Sequence, residues 1–212
     1  MGLDKKSLET AVALAIADGK GKRKFTQSVD MALNFKDVDF KKPETRLNAE
    51  VTLPNPPRKS KVAVFAEGEL ALHAKRAGAD IVIGGSEIAS YASNKEKQAQ
   101  LLECSILASP QLMAQVGKAL GQLLSAKGRL PKPIMPNSNL PELVERTRSS
   151  LTLKSKGKYL PCAHCIVGRE DMSVEQIVEN AQAVLEAVMR KFSETQIATI
   201  YFKTTMGKAF KA

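Results

Sequence analysis

Near the end of the chain's first quarter, Pro54-Asn55-Pro56-Pro57-Arg58-Lys59-Ser60 can continue neither a helix nor a central strand, because three of its residues lack a backbone N–H. A stretch of this composition marks a domain boundary. The hydrophobic patterning differs on its two sides, so the stretch separates two ways of folding.

Before it, Leu8, Val12, Ala15 and Ile16 recur at helical spacing over residues 4–18, and Gly19 stands where that helix should stop. A cationic run follows, Lys20-Gly21-Lys22-Arg23-Lys24, then Phe25-Thr26-Gln27-Ser28, and then Val29, Met31, Leu33 and Phe35 in strict alternation. Period two predicts a strand with one buried face. Leu47, Ala49, Val51 and Leu53 repeat the pattern and predict a second strand.

Beyond the boundary the strands are continuous apolar runs, the kind covered on both faces. Val62–Ala66 is the first, Asp80–Gly84 the second and Ser105–Ala108 the third. Helical stretches alternate with them, over Leu70–Ala77 with Gly78 as its stop, over Glu87–Ala92, and from a Ser109-Pro110 cap to about Ala126. Such alternation predicts right-handed crossovers and a parallel sheet. The proline-punctuated residues 128–133 and 135–141 predict an irregular loop carrying Lys127, Arg129 and Lys132, followed by a helix over 142–148.

Alternation returns with Leu151 and Leu153, then Leu160, Cys162, His164 and Ile166, read as a hairpin across Lys154–Lys158. Ser173 and Gln176 form a capping-box arrangement that opens a helix to about Phe192, and Ile197–Lys203 is a closing strand. Because the alternating strands flank the continuous ones, the expected fold is α/β with two domains. Residues 1–60 and 150–212 make a split α+β domain, and 61–149 form an inserted three-layer Rossmann-like α/β domain.

The formal charge of +10 and a pI near 9.5 point to a polyanionic partner, nucleic acid first and an anionic membrane surface second. No run reaches the roughly 20 apolar residues of a membrane span, and the N-terminus lacks a signal peptide's apolar core, so the expected location is cytoplasmic. Met1-Gly2 opens like a myristoylation motif, but Lys6 stands where Ser or Thr is wanted. Three cysteines, an odd number, argue against a disulfide framework.

Catalytic and cofactor signatures are weak. The loop after the first continuous strand, Phe65-Ala66-Glu67-Gly68-Glu69-Leu70, has neither nucleotide-binding glycine pattern, and its carboxylates would repel phosphate. Gly84-Gly85-Ser86 is the better turn for an anion, though such a turn more often only packs. Cys162-Ala163-His164-Cys165 supplies one C-x-x-C where a structural zinc site needs four ligands. The two histidines fall in different domains and G-x-S-x-G is absent. No catalytic residue, metal or cofactor is therefore expected. The alternative is a small-ligand-binding protein or enzyme using the cleft of the inserted domain.

The two chain ends carry the stronger signal. An exposed Phe25 beside Lys24 is a platform for a base or ribose. Thr204-Thr205-Met206-Gly207, between Lys203 and Lys208, reads either as a strand end before a solvated basic tail or as a ligand-facing rim. If the first and last strands are neighbours, Lys24-Phe25-Thr26-Gln27-Ser28 and Lys203–Gly207 form one composite site.

Phe25-Thr26-Gln27-Ser28-Val29, Lys41-Lys42-Pro43-Glu44, Leu53-Pro54, Ala77-Gly78-Ala79-Asp80, Gly117-Lys118-Ala119-Leu120-Gly121, Gly128-Arg129-Leu130-Pro131-Lys132-Pro133 and Thr204-Thr205-Met206-Gly207 together resemble the ribosomal protein L-one family. This is the protein of the large subunit's mobile side stalk, in its archaeal and eukaryotic form, and the resemblance runs over essentially the whole chain. It implies a two-domain fold with a hinge, and a split domain that grips large-subunit rRNA through Lys24, Phe25, Gln27, Ser28 and Thr204–Gly207. Thr205, Met206 and Gly207 carry over most directly. It also implies a non-enzyme that is monomeric when free, assists release of exit-site tRNA, and has its own mRNA as a second target for translational repression. Lys127, Arg129 and Lys132 are the expected secondary RNA contact. Lys208-Ala209-Phe210 departs from the proline or glycine that often follows Met-Gly in this family.

Overall fold

Val29, Met31, Leu33 and Phe35 all turn inward from β1 (Ser28–Phe35), and this strand is the spine of one sheet. The computed structural model describes residues 4–135, 139–154 and 160–212. They fall into two compact units, one of residues up to Arg58 with Ser149–Ala212, the other of Lys59–Arg148.

In the first unit β1 lies between β8 (Cys162–Arg169) and β9 (Ile197–Thr204), and β10 (Ala209–Lys211) completes a four-stranded antiparallel sheet in the order β10-β9-β1-β8. Helices α1 (Lys5–Gly19) and α7 (Val174–Met189) pack over its inner face. Leu8, Val12 and Ala15 of α1 and Ile177, Val184 and Val188 of α7 share a core with the β1 residues. Ser173 caps α7 by accepting from the Gln176 main-chain N–H at 3.3 Å, and the Gln176 side chain returns the bond to the Ser173 N–H, closing the box read from the sequence.

Beside this sheet, β2 (Asn48–Thr52) and β7 (Ser150–Lys154) form an antiparallel pair. The hairpin expected between Leu151–Leu153 and the following strand is therefore a misreading: β7 pairs with β2, while β8 pairs with β1. Residues 155–158 of the expected turn, residues 136–138 of the proline-rich loop and the Met1-Gly2 motif lie outside the described residues. The face of β8 is also corrected. Ala163, Cys165 and Val167 are buried, whereas Leu160 and Ile166 are 55% and 42% exposed and His164 is exposed.

The second unit holds β3 (Val62–Phe65), β4 (Ile81–Ile83), β5 (Ser105–Ala108) and β6 (Lys132–Pro133) in a parallel sheet ordered β4-β3-β5-β6. Its helices are α2 (Gly68–Arg76), α3 (Gly85–Ser93), α4 (Lys95–Glu103), α5 (Pro110–Ala126) and α6 (Leu140–Arg148). Two apolar clusters form, one with Ile88, Leu101, Leu112 and Val116, the other with Ala74, Leu140 and Val144. The sheet is thus covered on both faces, which explains the unbroken apolar runs. Asp80 accepts from the Val62 N–H at 2.9 Å and from Arg148 at 2.8 Å, tying the start of β3 to the end of α6.

Three expectations are revised here. Lys132–Pro133 is a short edge strand rather than loop, with a proline at an edge where its missing N–H is tolerated. Helix α4 was not anticipated. Ser109 stands at the N-cap of α5 but its side chain makes no capping bond.

Candidate nucleic-acid interface

Antiparallel pairing of β1 with β9 sets Val29 opposite Thr204 and Asp30 opposite Lys203, so the start of the first strand meets the end of the last. Beyond the last pair the chains remain bonded. The Thr205 N–H donates to the Ser28 carbonyl at 3.1 Å, and the Ser28 N–H donates to the Thr205 hydroxyl at 3.2 Å. The Met206 N–H donates to Gln27 Oε1 at 3.0 Å. The structure brings together Lys24–Ser28 and Lys203–Gly207, the two halves of the composite site.

Burial separates the residues of these halves by role. Lys24, Phe25, Thr26, Thr205 and Met206 are exposed, with Phe25 at 52% and Met206 at 59%. Lys203, Ser28 and Gly207 are half-buried. Gln27 and Thr204 are 1% and 0% exposed, which corrects the expectation that their side chains belong to the surface. Gln27 Nε2 instead donates to the Gly19 carbonyl at 2.7 Å and to Glu170 at 3.3 Å. Thr204 Oγ1 has no hydrogen-bond partner among the described residues and lies between two glycines. A Cβ at Gly19 or Gly207 would stand 2.3 Å or 2.2 Å from it.

Gly19 does end the helix, as the sequence suggested, but without a left-handed backbone. It is the last residue of α1, and the positive φ of 74° belongs to Gly21. Gly19 gives the helix end room to lie against the turn. The path of the tail, left open by the sequence, is defined: after Gly207 the chain reverses and Ala209, Phe210 and Lys211 pair with Lys203, Phe202 and Tyr201. Lys208 is anchored through its main chain, whose N–H donates to Asp18 at 2.9 Å, while Lys22 donates to the same carboxylate at 3.0 Å. The Lys208 N–H, followed by the Lys22 side chain, lowers the Asp18 pKa below its usual value.

Asp18, Gly19, Lys22, Arg23, Gln27, Met206 and Lys208 line a shallow cavity of about 270 Å³ beside the exposed Met206. On the sheet's outer face, burial raises the Asp30 pKa, an effect that Lys203 and His164 oppose. The rim thus presents an aromatic ring, a thioether, hydroxyls and several ammonium groups. These groups suit ribose, phosphate and base faces. Asp18 and Glu170 were missed in the sequence because their partners, the Lys208 main chain and Gln27, lie far along the chain, and Gly19 was read only as a helix end.

The other candidates separate. Lys127 and Arg129 are exposed around Gly128, whose φ is 65°, and Lys132 lies half-buried on β6. Cys165 sits in the core of the first unit, where burial and then Asp30 push its pKa up to about 12. Cys162 is half-buried on the opposite face of β8, and Cys104 is buried in the second unit. At the Gly84-Gly85-Ser86 turn, Glu67 Oε1 accepts the Gly85 N–H at 2.9 Å, so the chain's own carboxylate fills the place where an anion would sit. Among the described residues, no helix is long and apolar enough to cross a membrane.

Comparison with known proteins adds a second line. Residues 13–208 match the family model described as the ribosomal protein L1p/L10e family. A protein of Thermofilum pendens named large ribosomal subunit protein uL1 is 45% identical over 97% of this chain and 92% of its own length. Proteins of the same name from Archaeoglobus fulgidus and Thermococcus kodakarensis are 40% and 39% identical, each over 100% of this chain and 99% of its own length.

Proposed function

Since this chain belongs to the ribosomal protein L1p/L10e family, we propose that it binds large-subunit rRNA through the rim where β1 and β9 meet. It is a structural, non-enzymatic protein of the large ribosomal subunit, and its location is that of the subunit, the cytoplasm. Lys24, Phe25, Thr26, Ser28, Lys203, Thr205, Met206 and Gly207 make the contact surface, with Gln27 and Thr204 beneath it. The observation that carries this reading is the reciprocal bonding of Ser28 and Thr205, which joins the segments that carry Phe25 and Met206, both large apolar side chains left more than half exposed.

Recognition is by shape, because an edge of hydroxyls, main-chain groups and one thioether reads backbone and stacked surfaces rather than a base sequence. Lys127, Arg129 and Lys132 form a secondary contact from the second unit. On the ribosome the protein serves the mobile side stalk and assists tRNA release from the exit site. The same rim, binding a similar fold in the protein's own mRNA, represses its translation. The free protein is a monomer, and no cofactor takes part.

Thr205→Ala and Met206→Ala each weaken binding to a full-length large-subunit rRNA transcript by about 1–3 kcal/mol, the range for loss of good polar or packed contacts. Filter-binding titration at fixed salt measures this, since phosphate contacts make affinity salt-dependent. Unchanged affinity in both variants would sink the site.

A further inference from the structure

Beneath the rim, Gln27 is 1% exposed and so offers RNA almost no surface, yet its side chain makes hydrogen bonds to three separate segments. Oε1 accepts the Met206 N–H at 3.0 Å, and Nε2 donates to the Gly19 carbonyl at 2.7 Å and to Glu170 Oε2 at 3.3 Å. Its own carbonyl accepts the Glu170 N–H at 3.0 Å. The donors and acceptors permit one amide orientation only, since a flip would face N–H against N–H and oxygen against oxygen.

We propose that Gln27 is a positioning residue for RNA binding, its carboxamide fixing the Thr205–Gly207 turn by joining the Met206 main chain to the end of α1. The proposal rests on the RNA-binding reading above. Gly19 sets how close the two segments come, because a Cβ there would stand 2.3 Å from Thr204 Oγ1. With its main chain held, Met206 keeps its side chain 59% exposed. Ordering the turn before binding removes an entropy loss from the binding step.

Two substitutions test this. Gln27→Met keeps the volume and removes the three side-chain hydrogen bonds while leaving the main-chain bond to Glu170. It is expected to weaken binding to the rRNA transcript about tenfold, the equivalent of one to two hydrogen bonds. In the free protein, hydrogen exchange of the Met206 amide is expected to accelerate while the β1 and β9 amides keep their rates.

Gln27→Glu supplies the more specific readout. As a carboxylate it offers no donor to Gly19 and sits against Glu170. When protonated, it offers one donor to the Gly19 carbonyl and one acceptor to the Met206 N–H, and so restores two of the three side-chain bonds. The other charged groups around it are Asp18, Lys22 and Arg23 at and after the end of α1 and Lys208 after the turn. Burial and Glu170 raise the pKa of the introduced carboxyl. Its binding, relative to wild type at each pH, is therefore expected to be weak at pH 8 and to recover at pH 5.5.

Wild-type affinity of both variants at pH 8, or a Gln27→Glu deficit that stays the same at pH 5.5, overturns the proposal. Failure of the wild-type protein to bind the transcript overturns the RNA reading instead. In that case Met206 exchange still decides whether Gln27 holds the turn, since an unchanged rate in Gln27→Met refutes it.

Discussion

Thr204 shows how a single residue can be misjudged from its type. A threonine between a lysine and another threonine at a strand end reads as a ligand-facing hydroxyl, yet its strand register turns it inward, opposite Val29 and between two glycines. Its Oγ1 has no hydrogen-bond partner among the described residues, and a buried hydroxyl without a bond destabilises by about 1–3 kcal/mol. Thr204→Val keeps the shape and replaces the hydroxyl with a methyl group. It should raise unfolding stability by about 1 kcal/mol in a urea titration and leave RNA affinity unchanged; a loss of stability would show that the hydroxyl is bonded. Phe25 and Met206, by contrast, were legible as surface groups, since each stands outside the alternation that marks the core. Gln27 was legible as part of the candidate site but its burial was not, because its Met206 partner lies 179 residues away.

Elements were legible where periodicity was strong. The alternation placed β1 and the capping box placed the start of α7 nearly to the residue, while the helix ends at Met189 rather than about Phe192. Helix α4 was missed because it buries only Leu101, too thin an apolar stripe to show a period; its one local signal is Asn94, which caps it by accepting from the Glu96 N–H at 2.9 Å. In β8, apolar and polar residues occur on both faces, so the period was evident but the buried side was not. The corrected facing fixes the behaviour of the thiols. Cys165 is in the core with its pKa pushed up to about 12, and burial also raises that of Cys104, whereas Cys162 is partly open to solvent. In native protein at pH 8, iodoacetamide should label Cys162 well before Cys104 or Cys165, since only a reachable thiolate reacts. Mass spectrometry of tryptic peptides reads the order, and early labelling of Cys165 would contradict the assigned face.

At the scale of the whole molecule, two strand types separated by a proline-rich stretch were enough to suggest an insertion, because half-covered and fully covered sheets demand different residue patterns. The two units seen here fall at Arg58/Lys59 and Arg148/Ser149. What the sequence could not supply was the pairing of β2 with β7, since nothing local specifies a partner about a hundred residues distant. That pairing brings the chain's exit and return side by side: the Leu53 N–H donates to the Ser149 carbonyl at 3.0 Å, and the Ser60 N–H donates to the Arg148 carbonyl at 3.2 Å. Replacing residues 59–148 with a short glycine-rich linker should therefore leave a folded protein whose rRNA affinity stays within about tenfold of the parent, because closing a short loop across neighbouring ends adds little entropy. Circular dichroism and filter binding test this, and loss of cooperative unfolding would count against an independent split unit. The adjacency of β1 and β9 also orders events in time. As the chain emerges from its N-terminus, all of the second unit is made before β9 exists, and domains fold as units in that order. Phe25 waits on Met206 through most of synthesis, so an RNA that needs both can be captured only after β9 and its turn are made. Fragments that stop short of Thr204 cannot compete for it.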